Sequence, residues 1–125
     1  MKKKIISATE VPVSGPYSAA VEANDMIFIS GQLPVDPATG EIINDIKQAT
    51  GQILINIQTL LKKTDLDLSN VIKTTIFLKN IKDFPVVNEI YADFFPKEPP
   101  ARSTIEVSVL PRGALIEIEA IAVRE

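Results

Sequence analysis

One arginine and two glutamates are the residues of this chain best suited to chemistry. Arg102 stands in the segment PPARSTIEV, where a pair of prolines stiffens the approach to a predicted strand. A guanidinium binds a carboxylate through two parallel N–H bonds, a geometry that lysine cannot copy. The more ordinary interpretation of a strand arginine is an exposed ion pair, here with Glu106 or another carboxylate. Residue pattern alone therefore leaves two interpretations of Arg102, a surface pair and a carboxylate receptor.

The glutamates lie on the last predicted strand, in the segment ALIEIEAIAV. Glu117 and Glu119 share a strand face with Leu115, Ile121 and Val123, because strand side chains alternate. An acid among apolar neighbours is seldom fully buried unless it is paired. One interpretation is a salt bridge at a subunit interface. The other is a partly desolvated carboxyl whose raised pKa suits proton exchange near neutral pH. Periodicity does not choose between the two glutamates.

Weaker signals come from a loop, a strand end and a helix. Tyr17 lies in a loop broken by Gly15 and Pro16, so it is expected near an exposed tip. The pair Ser30–Gly31 ends a strand, where glycine permits close approach of the backbone to a ligand. Asn88 is expected on a helix, where an exposed structural asparagine is the commoner interpretation.

Composition narrows the chemistry further. The chain of 125 residues contains no cysteine and no histidine. This excludes thiol nucleophiles, a Ser-His-Asp triad and the common zinc sites. The sequence has no Asp/Glu cluster with calcium-loop spacing either. We therefore expect no metal and no cofactor, with acid–base work left to Asp, Glu, Lys, Tyr or water.

Charge and hydropathy constrain the partners. The net charge is −3, and the basic residues are scattered apart from a cluster at positions 2–4. A nucleic-acid-binding face would need a basic stripe, so no nucleic acid partner is expected. The N-terminus lacks the apolar core of a signal peptide, and no apolar run reaches the roughly 18 residues of a membrane span. We expect a cytoplasmic protein with no membrane partner.

The element order that the pattern predicts is β-β-β-α-β-α-β-β. The predicted strands are KKIIS, AAVEA, MIFISG, VIKTTIFLK, ARSTIEVSV and ALIEIEAIAV, with the dipeptide ND as a hairpin turn between the second and third. Apolar residues from Ile46 to Leu61 recur at helical spacing, with Asn44 or Asp45 as the N-cap. A second helix is expected from about Asp83, its cap, to Phe95.

These elements fit a single α+β domain over residues 1–125, a mixed sheet with two helices on one face. On the last strand Ile116, Ile118, Ala120 and Ala122 should face the helices, yet the opposite face is also partly apolar. In VIKTTIFL the alternation places Ile72, Ile76 and Leu78 on one face and Val71 and Phe77 on the other. Two helices cannot cover both sides of one sheet. We therefore expect a homo-oligomer in which another subunit covers the second face.

Three blocks of the chain resemble a known family. They are SGPYSAAVEANDMIFISGQLPVDPATGEI, QATGQILINIQTLLKKTDLDLSNVIKTTIFLKN and PPARSTIEVSVLPRGALIEIEAIAV, which together span nearly the whole chain. All three are similar to the RidA (YjgF-type) family of reactive enamine/imine deaminases. The resemblance implies a chorismate-mutase-like α+β fold, assembled as a trimeric barrel with clefts between the subunits.

The resemblance also implies site residues. It makes Arg102 the group that holds the carboxylate of a 2-imino acid and Glu119 the group that activates water. It makes the following residues line the site: Tyr17, Ser30, Gly31, Asn88 (the weakest of these) and Thr104 through its backbone. Many relatives have cysteine where this chain has Thr104, so a thiol-dependent side activity is not expected.

The implied reaction is hydrolysis of 2-iminobutanoate or 2-iminopropanoate, formed from 2-aminocrotonate or 2-aminoacrylate. The products are 2-oxo acids and ammonia, and the benefit is protection of pyridoxal-phosphate enzymes. One alternative is a non-catalytic sensor of a small carboxylate such as 2-oxobutanoate. An endoribonuclease or translation inhibitor is a further alternative, to which a chain without histidine and with an acidic balance is poorly suited.

Overall fold

The computed structural model describes residues 2–125, and it has the predicted order of strands and helices. The elements are β1 (Lys4–Ile6), β2 (Ala20–Ala23), β3 (Met26–Gln32), α1 (Ile46–Lys62), β4 (Val71–Leu78), α2 (Phe84–Phe94), β5 (Ala101–Glu106) and β6 (Ile116–Val123). Short 3₁₀ turns precede β4, α2 and β6. The predicted α+β class, with two helices and a mixed sheet, is confirmed.

All the strands join one sheet, in the order β1-β2-β3-β6-β4-β5. Every pairing is antiparallel except that of β4 with β5, which α2 connects. Strand β6 therefore lies between β3 and β4, and β5 forms one edge of the sheet. Glu117 and Glu119 therefore lie on an interior strand of the sheet, whereas Arg102 lies on an edge strand.

Local signals fix the ends of the elements. Asp45 caps α1 by accepting a hydrogen bond from the backbone N–H of Gln48 at 2.9 Å. In the β2–β3 hairpin, Asn24 and Asp25 both have positive φ, as a two-residue type I′ turn requires. Asp83 occupies the N-cap position of α2, as predicted, but its side chain makes no capping hydrogen bond with residues 2–125. The helical segment begins earlier, where Asn80 caps the 3₁₀ turn that leads into α2.

One face of the sheet packs against both helices. The inward residues of β6 are all buried there, as predicted, and they join a core with residues of α1 and α2 such as Ile53, Ile57 and Val87. Neither helix is long and apolar enough to cross a membrane, nor is any other helical segment between residues 2 and 125. The opposite side of the sheet, called the open face below, has no covering element among these residues.

Two predictions about strands need correction. Ile72 is predicted to share the buried face of Ile76 and Leu78, but it is exposed. Val71, predicted on the opposite face, is buried instead. A register shift between Val71 and Lys73 is the cause, because an extra residue reverses the alternation on one side of the irregularity. The fifth strand was also expected to run on to Val109, but β5 ends at Glu106.

Candidate functional site

The sheet register places Arg102 and the two glutamates on opposite faces. Arg102 and Ala120 both lie opposite Thr74, and this row faces the helices, since Thr74 and Ala120 are buried. Ser103 and Glu119 both lie opposite Thr75, in the next row, which belongs to the open face. A single chain therefore does not bring Arg102 and the glutamates together.

Arg102 lies over the aromatic side chains of α2. Its Cζ is 5.3 Å from the ring centroid of Phe84 and 4.8 Å from that of Tyr91. Between residues 2 and 125 no carboxylate forms a salt bridge with Arg102. Glu106, the partner expected for a surface pair, instead accepts a hydrogen bond from the backbone N–H of Ile81 at 2.8 Å. The surface-pair interpretation with Glu106 is therefore wrong, and the guanidinium has donors available for an anion.

Ser30 and Gly31 lie at an irregularity of β3, on the other side of the sheet. Ile29 pairs with Ala120 and Gln32 with Ile118, so two residues of β3 lie opposite Glu119 alone. Such bulges are frequent beside active sites, where they redirect the chain. The hydroxyl of Ser30 fixes this one by donating to the carbonyl of Ser18 at 2.6 Å.

Glu117 packs directly on Gly31. A Cβ added at Gly31 would lie 2.8 Å from Cδ of Glu117, so the carboxyl group would have to move to make room for it. Glu117 is half-buried, whereas Glu119 is exposed. Burial raises the pKa of the Glu117 carboxyl above its ordinary value, and the nearby charge of Glu119 raises it further. Of the two glutamates, Glu117 is the one whose surroundings favour proton exchange.

A cleft of about 570 Å³ joins these groups on the open face. It is lined by both glutamates together with Tyr17, Ser30, Gly31 and Arg112, among others. Tyr17 is exposed at the rim, as expected of its loop. Four of the predicted site residues therefore meet in one cleft, and we call it the Glu117 cleft.

Arg112 is a lining residue that the sequence analysis missed. It has a positive φ of 58° in the turn LPRG, and its guanidinium donates to the carbonyl of Gly40 at 2.9 Å. The sequence pattern predicts only a turn between two strands for this segment. No local signal in the sequence distinguishes an arginine that reaches a cleft from one that is merely exposed in a turn.

The remaining predicted residues lie away from this cleft. Thr104 alternates with Ser103, so it faces the same side as Arg102. Its Oγ1 is buried and has no hydrogen-bond partner among residues 2–125. Asn88 is exposed on α2, the helix that carries Phe84 and Tyr91. Each chain thus presents two groups of candidate site residues, called half-sites below: a guanidinium near α2 without a salt bridge among residues 2–125, and a carboxyl pair in the Glu117 cleft.

Residues 7–124 match the family model described as Endoribonuclease L-PSP. A RutC family protein of Pyrococcus horikoshii is 48% identical over 100% of both chains. A mouse protein named 2-iminobutanoate/2-iminopropanoate deaminase is 44% identical, over 98% of this chain and 92% of that protein. The crystal structure of Escherichia coli TdcF with bound serine has a TM-score of 0.93 and 39% identity, covering 98% of this chain and 99% of that one.

Proposed function

Because the chain belongs to the Endoribonuclease L-PSP family, in which the RidA (YjgF-type) proteins fall, we propose that it hydrolyses reactive 2-imino acids to 2-oxo acids and ammonia. The proposed substrates are 2-iminobutanoate and 2-iminopropanoate, after the name of the mouse relative. The observation that carries the proposal is the guanidinium of Arg102, which is held by two aromatic rings and lacks an acidic partner among residues 2–125.

Arg102 is proposed as the carboxylate clamp. A planar guanidinium binds a carboxylate in its own plane through two charge-assisted hydrogen bonds. Every 2-imino acid carries that carboxylate beside the reacting C2 atom. The serine bound to TdcF also has a carboxylate, which supports a ligand of this class. Thr104, on the same side of β5, and Asn88 are proposed to lie near the bound substrate.

We assign the water-activating role to Glu117. The family resemblance favoured Glu119, but Glu119 is exposed, whereas Glu117 is half-buried against Gly31. A general base works best when its pKa lies near the working pH. The raised pKa of Glu117 moves it in that direction, and the charge of Glu119 contributes to the shift. Tyr17, Ser30 and Gly31 complete the walls of the cleft.

The chemistry needs positioning and one proton-transfer group. Water adds to C2 of the protonated imine while Glu117 accepts one of its protons, and a carbinolamine forms. The carboxyl of Glu117 then returns that proton to the nitrogen. The C–N bond then breaks and ammonia leaves, while the C2 hydroxyl gives its proton to the Glu117 carboxylate and becomes the 2-oxo group. Glu117 passes that proton to the departing ammonia, so ammonium is released and the carboxylate is restored. Orientation and one acid–base group together supply on the order of 10²- to 10⁴-fold or more.

The complete site is proposed to form between subunits of a homotrimer. Arg102 and Glu117 lie on opposite faces of the sheet, so one chain cannot place both on one small substrate. If the open face of one subunit lies beside the β5 edge of the next, the two half-sites meet. The same contact would cover the apolar side chains of the open face, such as Phe28 and Ile105.

A coupled assay tests the proposal. A threonine dehydratase generates 2-aminocrotonate, semicarbazide traps the surviving imine, and the rate of imine loss is followed with and without the protein. We expect the protein to lower the trapped fraction and the variant Arg102→Ala to lose this effect. If the wild-type protein does not accelerate imine loss, or if Arg102→Ala is fully active, the proposal is wrong.

A sensor of small carboxylates is the second candidate, and the serine bound to TdcF favours it. It predicts binding of 2-oxobutanoate, dependent on Arg102, without any acceleration of imine loss. The endoribonuclease description of the family suggests a third function. That function would be supported if the purified protein, rigorously freed of contaminating nuclease, cleaved RNA and if Arg102→Ala cleaved it equally well.

A further inference from the structure

We propose that Phe84 and Tyr91 are positioning residues that hold the guanidinium of Arg102 ready for a carboxylate. The inference rests on the proposed function, in which Arg102 binds the substrate. It concerns the groups behind the arginine, none of which touches the substrate. We call these two aromatic residues and Thr74 the arginine cradle.

The distances place Arg102 within range of both rings. Its Cζ lies 5.3 Å from the centroid of Phe84 and 4.8 Å from that of Tyr91. A cation within about 6 Å of a ring centroid is attracted by the negative face of the ring. Both rings come from α2, so one rigid element sets the arginine on strand β5.

Aromatic contact leaves the hydrogen-bonding function of the guanidinium intact. The attraction of a cation to a ring face requires no N–H donor, whereas a carboxylate binds at the N–H edge of the guanidinium. A salt bridge with an acidic side chain would occupy that edge, and none forms within residues 2–125. The cradle therefore orders the long side chain before the ligand arrives, which lowers the entropy lost on binding.

Thr74 fixes the ring of Tyr91. The hydroxyl groups of Thr74 and Tyr91 are 2.6 Å apart in a buried hydrogen bond. Thr74 lies on β4 directly opposite Arg102 in the parallel pairing with β5. Burial raises the pKa of the Tyr91 phenol, against the smaller opposing effects of Thr74 and Arg102, so the phenol is neutral at physiological pH.

Glu106 helps to hold α2 in place. It extends from the end of β5 and accepts the N–H of Ile81, at the start of the 3₁₀ turn that leads into α2. A carboxylate at this end of a helical segment is also favoured by the helix dipole. Glu106, which the sequence suggested as an ion-pair partner of Arg102, thus helps to position α2, the helix that carries Phe84 and Tyr91.

The test compares binding of 2-oxobutanoate, measured by titration calorimetry, with the kinetics of imine hydrolysis. We expect Phe84→Leu and Tyr91→Leu each to weaken binding roughly 3- to 30-fold, as the loss of a cation–π contact predicts. The KM for the imine should rise by a similar factor with little change in kcat, because the clamp binds substrate and transition state alike. A merely structural defect would lower the active fraction, and so kcat, without raising KM.

The matched control is Phe94→Leu, the same substitution at a partly buried aromatic residue of the same helix. Among residues 2–125 the cation–π contacts of Arg102 are with Phe84 and Tyr91, so Phe94→Leu leaves both of them in place. We expect it to bind within about 3-fold of wild type. Tyr91 is buried, so Tyr91→Leu is the variant more at risk of failing to fold. Phe84 is only half-buried, so Phe84→Leu still tests the cradle in that case.

The outcomes separate the cradle from the clamp. If Arg102→Ala loses binding while folded Phe84→Leu and Tyr91→Leu bind and turn over like wild type, the cradle is wrong and the clamp stands. If Arg102→Ala binds 2-oxobutanoate as well as wild type, the proposed function itself fails. A loss of kcat alone in both leucine variants would also overturn the cradle.

Discussion

The contact of Glu117 with Gly31 links the shape of the site to its acidity. The carboxyl packs where any Cβ on residue 31 would stand, and this packing contributes to the burial that raises its pKa. Strand alternation predicted that Glu117 and Glu119 share a face, but it did not say which was buried. That difference depends on the bulge of β3, a tertiary feature that the order of residues in β6 does not contain.

The glutamates can be separated by their pH dependence. We expect Glu117→Gln to lower kcat by about 10²- to 10⁴-fold, the usual contribution of an acid–base group. In the wild type, activity should fall as pH drops through the raised pKa of Glu117, because the base must be ionised. Glu119→Gln removes the neighbouring charge, so the pKa of Glu117 should fall and this acid limb should move to lower pH.

The pH–rate profiles of kcat/KM for the three proteins provide the check. An acid limb that persists unchanged in both variants would rule out titration of Glu117 as its source. A large loss of kcat in Glu119→Gln together with near-normal activity of Glu117→Gln would return the role to Glu119.

Gly31→Ala tests the packing of the same carboxyl. The added methyl would lie 2.8 Å from Cδ of Glu117, so the carboxyl must move. We expect a loss of kcat comparable to that of Glu117→Gln, with the chain still folded by circular dichroism. The control is Gly51→Ala, where the nearest contact is 3.9 Å from Ile90 and a helix interior favours alanine. Full activity of Gly31→Ala would show that the position of Glu117 does not matter.

At the scale of the elements, sequence pattern predicted type and order well but missed local irregularities. The run from Ile46 to Leu61 has helical spacing, and it forms α1 behind the expected cap at Asp45. The predicted face of Ile72 is wrong because strict alternation along β4 does not hold across the register shift between Val71 and Lys73. No residue type in this segment indicates such a shift. Asp83 occupies the predicted N-cap position of α2, but the capping hydrogen bond is made one turn earlier, where Asn80 caps the 3₁₀ turn that leads into the helix.

Two threonines on neighbouring strands offer a matched prediction of stability. Thr104 Oγ1 is buried and has no hydrogen-bond partner in the part of the chain that the structure describes, whereas Thr74 Oγ1 is hydrogen-bonded to Tyr91. Thr104→Val should therefore raise the free energy of unfolding, and Thr74→Val should lower it, each by about 1 kcal/mol. Urea unfolding of both variants measures the difference. Destabilisation by Thr104→Val would mean that its hydroxyl has a partner outside the single chain.

At the scale of the whole molecule, the open face requires an explanation. Phe28 is 45% exposed at its centre, and Ile105 is 46% exposed near its edge. The sequence anticipated a two-sided sheet, because β6 has apolar residues on both faces. It did not anticipate that Arg102 faces the helices, since the face of an edge strand depends on its register with β4.

Phe28→Asp tests whether the open face is a contact between subunits. A charge placed there should disfavour assembly, since a desolvated carboxylate without a partner is costly. Sedimentation velocity should then give a monomer where the wild type gives a trimer. Ile55→Asp is the control, because Ile55 is 46% exposed on α1, away from the sheet. A monomeric wild type at micromolar concentration would contradict the assembly.

Complementation between two inactive variants tests the central claim that Arg102 of one subunit acts with Glu117 of another. Arg102→Ala and Glu117→Gln chains are unfolded together at equal amounts, refolded, and assayed for imine hydrolysis. In a cyclic assembly with random mixing, a subunit that keeps Arg102 lies beside one that keeps Glu117 at about a quarter of the sites. The account predicts about a quarter of the wild-type rate, given by a mixture of two proteins that are each inactive alone. A mixture no more active than its separate components, under conditions where the refolded wild type recovers, would contradict it.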